Sequence, residues 1–343
     1  MVRFSLKYSL WFITLVMLSA CDSKEDTGLY SIYQLDKYKN GKGVVSLNET
    51  WEKQESLMKS FPKGIEVYRT HREINGKVSN ICLVAFNPKH NIDFKPIVSK
   101  VAQTPTDFFK AESGDVYVCL NAGFFSGNTS LSLAIYNTAI QSINTKSLQR
   151  PFNNVNTPYY PTRAAFGLNS DFAPSVSWVY SVGAGNGVLY QYPQPSPNEL
   201  GLAPQNIPSA IFPQGGAVWN PRSAIGGSPM LIHKGQIKIT DNEELADLDN
   251  NAKRARSAIG HLSNGNIVLL AAEGAQTGNV NPSFHGLTLR ELADVMLEVG
   301  CVGAINLDGG GSSSMVIGGE QVITPSDKNG ERKVVSAIIL KGR

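Results

Sequence analysis

Apolar residues along this chain fall mostly into short runs punctuated by Gly, Asn and Pro, the spacing of strands rather than of long helices. Ile65 to Arg72 and Val78 to Phe86 flank Asn75-Gly76, which predicts a hairpin with a two-residue turn. Phe94 to Val98, Val116 to Leu120 and Ile267 to Ala272 predict further strands, and Val302 to Leu307 and Met315 to Ile317 bracket a glycine-rich turn.

Helical signals are few. Thr104-Pro105-Thr106-Asp107 combines an N-cap threonine, a first-position proline and a first-turn acid, so a helix is expected through Glu112, stopping at Gly114. Thr288 and Glu291 have capping-box spacing. After them Leu289, Leu292, Ala293, Met296 and Leu297 line one helical face, and Gly300 ends it. A third helix is expected over Asn48 to Phe61, capped by Asn48 and stopped by Pro62.

Asn128 to Pro161 is rich in Asn, Thr and Ser and reads as long loops, and the proline-dense Tyr190 to Pro213 reads as a surface excursion. The pattern Arg-small-Ala-apolar-Gly occurs at Arg163, Arg222 and Arg256; it is either a recurring strand that opens with an arginine or a chance echo. The fold class expected is α+β, with mixed or antiparallel β-sheets and a few packed helices, because helical patterns are too few for a doubly wound parallel sheet.

Composition alters this picture little. The 343 residues are 42% hydrophobic and 17% charged, an ordinary globular balance. A net charge of +3 with no Lys/Arg-rich run argues against nucleic acid as a partner. The N-terminus does change it. Arg3 and Lys7 precede a short apolar stretch, Tyr8 to Met17, and then Leu18-Ser19-Ala20-Cys21, which resembles the lipobox of bacterial lipoproteins. That resemblance implies a signal peptide over 1–21 and lipidation at Cys21. The expectation is an exported protein of the bacterial cell envelope, held to the membrane by acyl chains. Residues 22–47 would be a polar tether and 48–77 a helix and hairpin leading into a domain over 78–343. Cys82, Cys119 and Cys301 lie in apolar surroundings without Cys-x-x-Cys spacing and are expected to be buried thiols.

The stretch Asn306-Leu307-Asp308-Gly309-Gly310-Gly311-Ser312 carries the most evident candidate chemistry. Glycine lets a ligand approach the main chain, and successive bare N–H groups can form an anion-binding concavity beside the Asp308 carboxylate. The alternative is a plain hairpin turn that Asp308 caps. Glu273 follows a strand and is a second carboxylate. Asp308, Glu273 and Asn306 are also oxygen donors of the hard-cation type, but no calcium loop is recognisable, so no cofactor is required and a divalent cation is left open. His285 could serve as an acid or base or be polar surface; the other histidines have no ligand spacing.

Five segments stand in order: Asn121-Ala122-Gly123-Phe124-Phe125, Gly227-Ser228-Pro229-Met230-Leu231, Arg256-Ser257-Ala258-Ile259-Gly260, Gly286 to Ala293, and Asn306 to Ser312. From Val78 onward the set resembles the phosphodiester glycosidase family. The resemblance implies hydrolysis of a sugar 1-phosphodiester to a free sugar and a phosphomonoester, and bacterial members are associated with exopolysaccharide. It departs from the family at Ala122, where glycine is usual, and at Glu273-Gly274, where Asp-Gly is common. The site it implies has Asp308 and Glu273 as catalytic carboxylates and Arg256 as the phosphate clamp. Asn121, Gly123, Asn306, Gly309, Gly310, Gly311, Ser312 and His285 would bind a glycan or sugar-phosphate substrate. Hydrolysis of ordinary glycosidic bonds and glycan binding without turnover are the other two readings.

Overall fold

The computed structural model describes residues 43–343. Cys21, the segment 1–21 and most of the expected tether lie outside the described residues. Three large sheets of eight, seven and five strands form the body. Every strand pairing among the described residues is antiparallel. Two α-helices accompany them among the described residues, α1 over Pro105–Ala111 and α2 over Leu289–Glu298. The architecture is therefore β-rich and antiparallel, which corrects the expected α+β class.

The first sheet explains the uninterrupted apolar runs. Its central strands Ile81–Phe86 and Ile267–Ala272 are buried at every position. Cys82, Val84, Phe86, Ile267, Leu269 and Ala271 face the core shared by the three sheets. Ile81, Leu83, Ala85, Val268, Leu270 and Ala272 face a second core, under α2. A strand covered on both faces loses its polar alternation, in an antiparallel sheet as in a parallel one. The three sheets meet at Phe86, Phe94 and Phe166, one ring from each. Phe94 stacks on Phe86 at 6.5 Å between centroids and meets Phe166 edge-on at 5.6 Å.

Local signals in the sequence are fulfilled where the geometry is local. Asn75 and Gly76 both adopt positive φ at the tip of the expected hairpin, and Ile65–Thr70 pairs with Ile81–Phe86 below it. Both capping boxes form, Thr104 with Asp107 and Thr288 with Glu291. The three arginine-led echoes are strands or strand entries: Arg163–Leu168 pairs with Ser223–Gly226 in the second sheet, and Arg256–Leu262 lies in the first.

Two expectations fail. Asn48 to Phe61 is not a helix; it holds a short strand, Glu52–Lys53, and one 3₁₀ turn, Glu55–Met58. Trp51 packs in the core under α2, while Leu57, Met58 and Phe61 pack against the core between the sheets. One helix cannot present side chains to opposite sides of a sheet. Residues 128–161 are hairpins rather than long loops, with Asn137-Thr138 and Asn153-Asn154 at positive φ turning the chain. Asparagine tolerates that conformation, so its abundance marked turns between strands.

Truncating Phe94, which is 2% exposed, should cost about 3–5 kcal/mol. Urea unfolding of Phe94→Ala checks this, with a loss above that expected for a ring serving one sheet alone.

Candidate functional site

Antiparallel pairing brings alternate strand ends to one edge of the first sheet. Ile81 lies opposite Ala272, Ala272 opposite Arg256, and Ala258 opposite Asn306. The residues just outside those ends are Ser79-Asn80, Glu273-Gly274, Ala255 and Leu307-Asp308, so the two candidate carboxylates emerge at the same edge. From there the chain crosses to the third sheet. Leu307 N–H donates to Ser257 O at 2.8 Å, Asp308 N–H to Ala122 O at 2.9 Å, and strand Met315–Ile317 then pairs with Val116–Asn121.

Asn121 fastens this crossing. Its side-chain amide donates to Asp308 O at 2.7 Å, and its oxygen accepts from the Ser257 hydroxyl at 2.6 Å and from Ser314 N–H at 3.2 Å. With no exposed surface and its oxygen twice bonded, Asn121 positions the turn and does not reach a substrate. Gly123 is structural as well. A Cβ there would lie 2.3 Å from Ser132 Cβ, and its N–H donates to the Ser336 hydroxyl. Asn306, 1% exposed, donates from its side chain to Ser228 O at 2.7 Å, and its Oδ1 is left without a protein partner.

The glycine turn is not an open nest of amides. Gly309 N–H donates to Asp308 Oδ1 at 3.0 Å and Gly310 N–H to Ala255 O at 2.8 Å, while Ser312 and Ser313 donate to the carbonyls of Gly309 and Gly310. What the glycines provide is close approach. A Cβ on Gly311 would sit 2.2 Å from Asp327 Oδ1 and 2.3 Å from Arg332 Nη2, so only glycine admits that ion pair over the turn. Arg332 binds Asp327 through two bonds of 2.8 and 2.9 Å.

Asp308 is the perturbed acid of the site. Burial pushes its carboxyl up to about 6, opposed by the Ser312 hydroxyl, the Gly309 N–H and the Arg332 charge. Ser312 Oγ is itself buried without a hydrogen bond of good geometry. Glu273 is 9% exposed; its Oε2 accepts from the Asn80 side chain at 2.8 Å and from Thr324 N–H at 3.0 Å. Around it Asn80 Oδ1, Ser79 Oγ and Ser326 Oγ are buried without protein partners, as is His285 Nδ1. Such atoms require an acceptor or donor from elsewhere, water or a ligand. Ala255 links the two carboxylates' loops: a Cβ on Gly274 would lie 2.2 Å from its nitrogen, and Gly310 bonds its carbonyl.

Arg256 departs most from expectation. It is 4% exposed, and its guanidinium donates to the carbonyls of Leu287 at 3.0 Å, Asp249 at 3.1 Å and Ala252 at 3.2 Å. Those bonds hold the loop 249–252 to the sheet, which commits the group that was expected to clamp phosphate. Burial and the nearby Arg254 lower its pKa to about 10. Arg332 is the cation that acts on Asp308, and the sequence hid it in the polar run Asp327 to Lys333. Asn80 and Thr324 were equally silent. His285 hydrogen-bonds through its backbone to Val78 O and stands near Glu273's loop rather than at the glycine turn. The three cysteines are buried and unpaired.

Holding Asp308 ionised in this place should cost stability. Its pKa is raised from 3.8, so the native state binds the proton more tightly than the unfolded chain, and stability falls as pH rises between about 4 and 6. Asp308→Asn should therefore be more stable than the parent by roughly 1–3 kcal/mol at pH 7, a gain that shrinks toward pH 4. Thermal melts across that range provide the check.

The family model described as phosphodiester glycosidase matches residues 162–341. The human N-acetylglucosamine-1-phosphodiester alpha-N-acetylglucosaminidase is 37% identical over 113 residues, 30% of this chain and 21% of its own. The Bos taurus enzyme of the same name is 36% identical over 113 residues, 30% of this chain and 20% of its own. The SPbeta prophage-derived uncharacterized protein YomE of Bacillus subtilis is 34% identical over 110 residues, 32% of this chain and 16% of its own. The matches thus span 16–21% of the mammalian and Bacillus relatives' length. Among solved structures, the zebrafish N-acetylglucosamine-1-phosphodiester alpha-N-acetylglucosaminidase catalytic domain aligns with a TM-score of 0.54 at 18% identity, covering 86% of this chain and 89% of that one. A hypothetical protein from Synechocystis aligns with a TM-score of 0.53 at 19% identity, covering 82% and 62%. These two share the fold. With the family model covering more than half of its length, the chain belongs to the phosphodiester glycosidase family.

Proposed function

We propose that this protein hydrolyses sugar phosphodiester linkages, with Asp308 as the reacting carboxylate, Glu273 as the second carboxylate and Arg332 as the cation beside the phosphodiester. The observation that carries this reading is the Asp308 carboxyl, raised to about 6 and opposed by the charge of Arg332, which the absent side chain of Gly311 lets approach. Cleavage between the anomeric carbon and the bridging oxygen releases a phosphomonoester, a group whose second pKa is about 6 in phosphoamino acids. Such a leaving group departs without a proton from the enzyme. What the reaction needs instead is a carboxylate facing the positive charge that grows at the anomeric carbon, and a cation to hold the phosphate. Ionised Asp308 meets the first need, either by bonding to that carbon or by taking a proton from the incoming water. Arg332 meets the second: Asp327 takes its Nε and Nη2 donors, which leaves the Nη1 donors for a phosphoryl oxygen. The names of the mammalian and zebrafish relatives describe the same class of linkage.

Two further elements of the proposal rest on sequence. The lipobox-like Leu18-Ser19-Ala20-Cys21 supports a lipid-anchored protein of the bacterial envelope. That setting makes a polysaccharide or envelope glycan the substrate class. Among the described residues no helix is long and apolar enough to cross a membrane.

A chromogenic sugar 1-phosphodiester tests the proposal. Asp308→Asn should lower kcat by about 10²-fold or more, and Arg332→Ala should weaken turnover mainly through KM. The parent's rate should fall on the acid side of about pH 6, where Asp308 takes up a proton and ceases to act. Equal activity in parent and both variants would refute the assignment. A neutral aryl glycoside cleaved at a comparable rate would redirect it to ordinary glycosidic bonds.

A further inference from the structure

A cavity of about 170 Å³ opens beside the site described above, on the side of the second sheet. Gly227 and Phe124 form part of its wall, and both belong to segments that touch the Asp308 crossing. A Cβ on Gly227 would lie 2.1 Å from Asn306 O, and Phe124 follows the Ala122 carbonyl that accepts Asp308 N–H by two residues. The cavity therefore adjoins the reacting carboxylate without containing it.

Part of its lining carries positive charge. Arg163 and Arg150 both face it. Arg163 opens one of the three arginine-led segments, yet its only hydrogen bond is from Nη1 to the Ser228 hydroxyl at 3.1 Å. A guanidinium has five N–H donors, so most of those on Arg163 meet no protein acceptor. Arg150 donates only to the neighbouring Gln149 carbonyl. Neither arginine makes an ion pair among the described residues. The nearest buried carboxylate, Glu244, has no free lone pair to offer. It accepts from Ala164 N–H, Met230 N–H, the Trp178 indole and the Ser228 and Thr240 hydroxyls. Asp247 lines the cavity from its exposed rim.

A second, independent feature lies on the same wall. Asn144 is 7% exposed and lines the cavity. Its Oδ1 accepts Leu133 N–H at 2.8 Å, while its Nδ2 is buried and unpartnered. A buried NH₂ without an acceptor is costly, and its neighbours in the cavity are two cations. Two open guanidiniums and an orphan amide donor call for one kind of guest, an acceptor-rich anion. Phe124, Leu148 and Leu248 supply apolar surface around them, as the faces of a sugar ring require.

We infer that the cavity between Arg150, Arg163 and Asn144 is an anion subsite that binds a carboxylate or phosphate group carried on a sugar next to the scissile linkage. On the reading given above for Asp308, the substrate is then an acidic glycan with charge beyond that of the phosphodiester itself. The subsite can be tested apart from turnover. Glucuronate, inorganic phosphate and glucose are titrated calorimetrically into the full chain carrying Arg332→Ala, which removes the cation beside Asp308. Saturable binding of glucuronate or phosphate but not glucose is expected; glucuronate alone would identify a uronic acid, phosphate alone a phosphorylated sugar. Adding Arg150→Ala or Asn144→Asp should weaken that binding about tenfold or more. Both changes spare the fold, since Arg150 has no distant partner and aspartate keeps the acceptor for Leu133 N–H; matching melting temperatures verify this. Absence of saturable anion binding, or binding unaltered by both changes, would overturn the inference. Anion binding lost on those changes in a protein that hydrolyses no phosphodiester would uphold the subsite and refute the proposed reaction.

Discussion

One asparagine side chain determines whether this molecule has a site at all. Asn121 closes the third sheet's central strand and, through one amide group, holds Asp308 O, Ser257 Oγ and Ser314 N–H. Those partners come from the crossing turn, the first sheet and the entry to the third sheet. The turn cannot be held by packing, because the glycines that allow close approach bring no side chains to pack. Hydrogen bonds from a fully buried side chain to buried and half-buried partners take that role, and they are strong where water competes poorly. The aspartate's backbone is thus fixed by the protein, which leaves its carboxyl free to be set by its surroundings.

Those surroundings work against one another in a productive way. Burial favours the neutral acid, while Arg332, Ser312 and the Gly309 N–H favour the anion. The balance leaves Asp308 changing charge near neutral pH, where an ordinary aspartate would be fully ionised and fully hydrated. Gly311 is what makes the balance available, since any side chain there would displace the Asp327–Arg332 pair. Gly311 is therefore a steric device for bringing a cation close to a half-buried acid, while Gly310 supplies positive φ and Gly309 lets the turn approach the Ala255 carbonyl.

The sequence revealed what local chemistry encodes. Asn75-Gly76 marked its hairpin, and Thr104 and Thr288 marked two helix starts, because each structure is decided within a few residues. Asp308 and Glu273 were legible as carboxylates following apolar strands. Arg256 was legible as a cation but its three carbonyl partners were not, because charge in a sequence does not say which acceptors a folded loop will offer. Arg332 was missed for the converse reason. It lies in a polar run that looks solvated, and its importance comes from a missing Cβ at Gly311, twenty-one positions earlier. Asn48 to Phe61 misled because Trp51 and Phe61 serve different cores, a fact visible only once the sheet lies between them.

In the proposed reaction a phosphodiester is held by Arg332 with its anomeric carbon facing Asp308. A crystal structure of Asp308→Asn soaked with a non-chromogenic sugar 1-phosphodiester tests this most directly. Phosphoryl oxygens are expected within hydrogen-bond distance of the Arg332 guanidinium, with the anomeric carbon over residue 308. A phosphodiester bound instead at Arg256, with the Arg332–Asp327 pair untouched and the glycine turn empty, would contradict it.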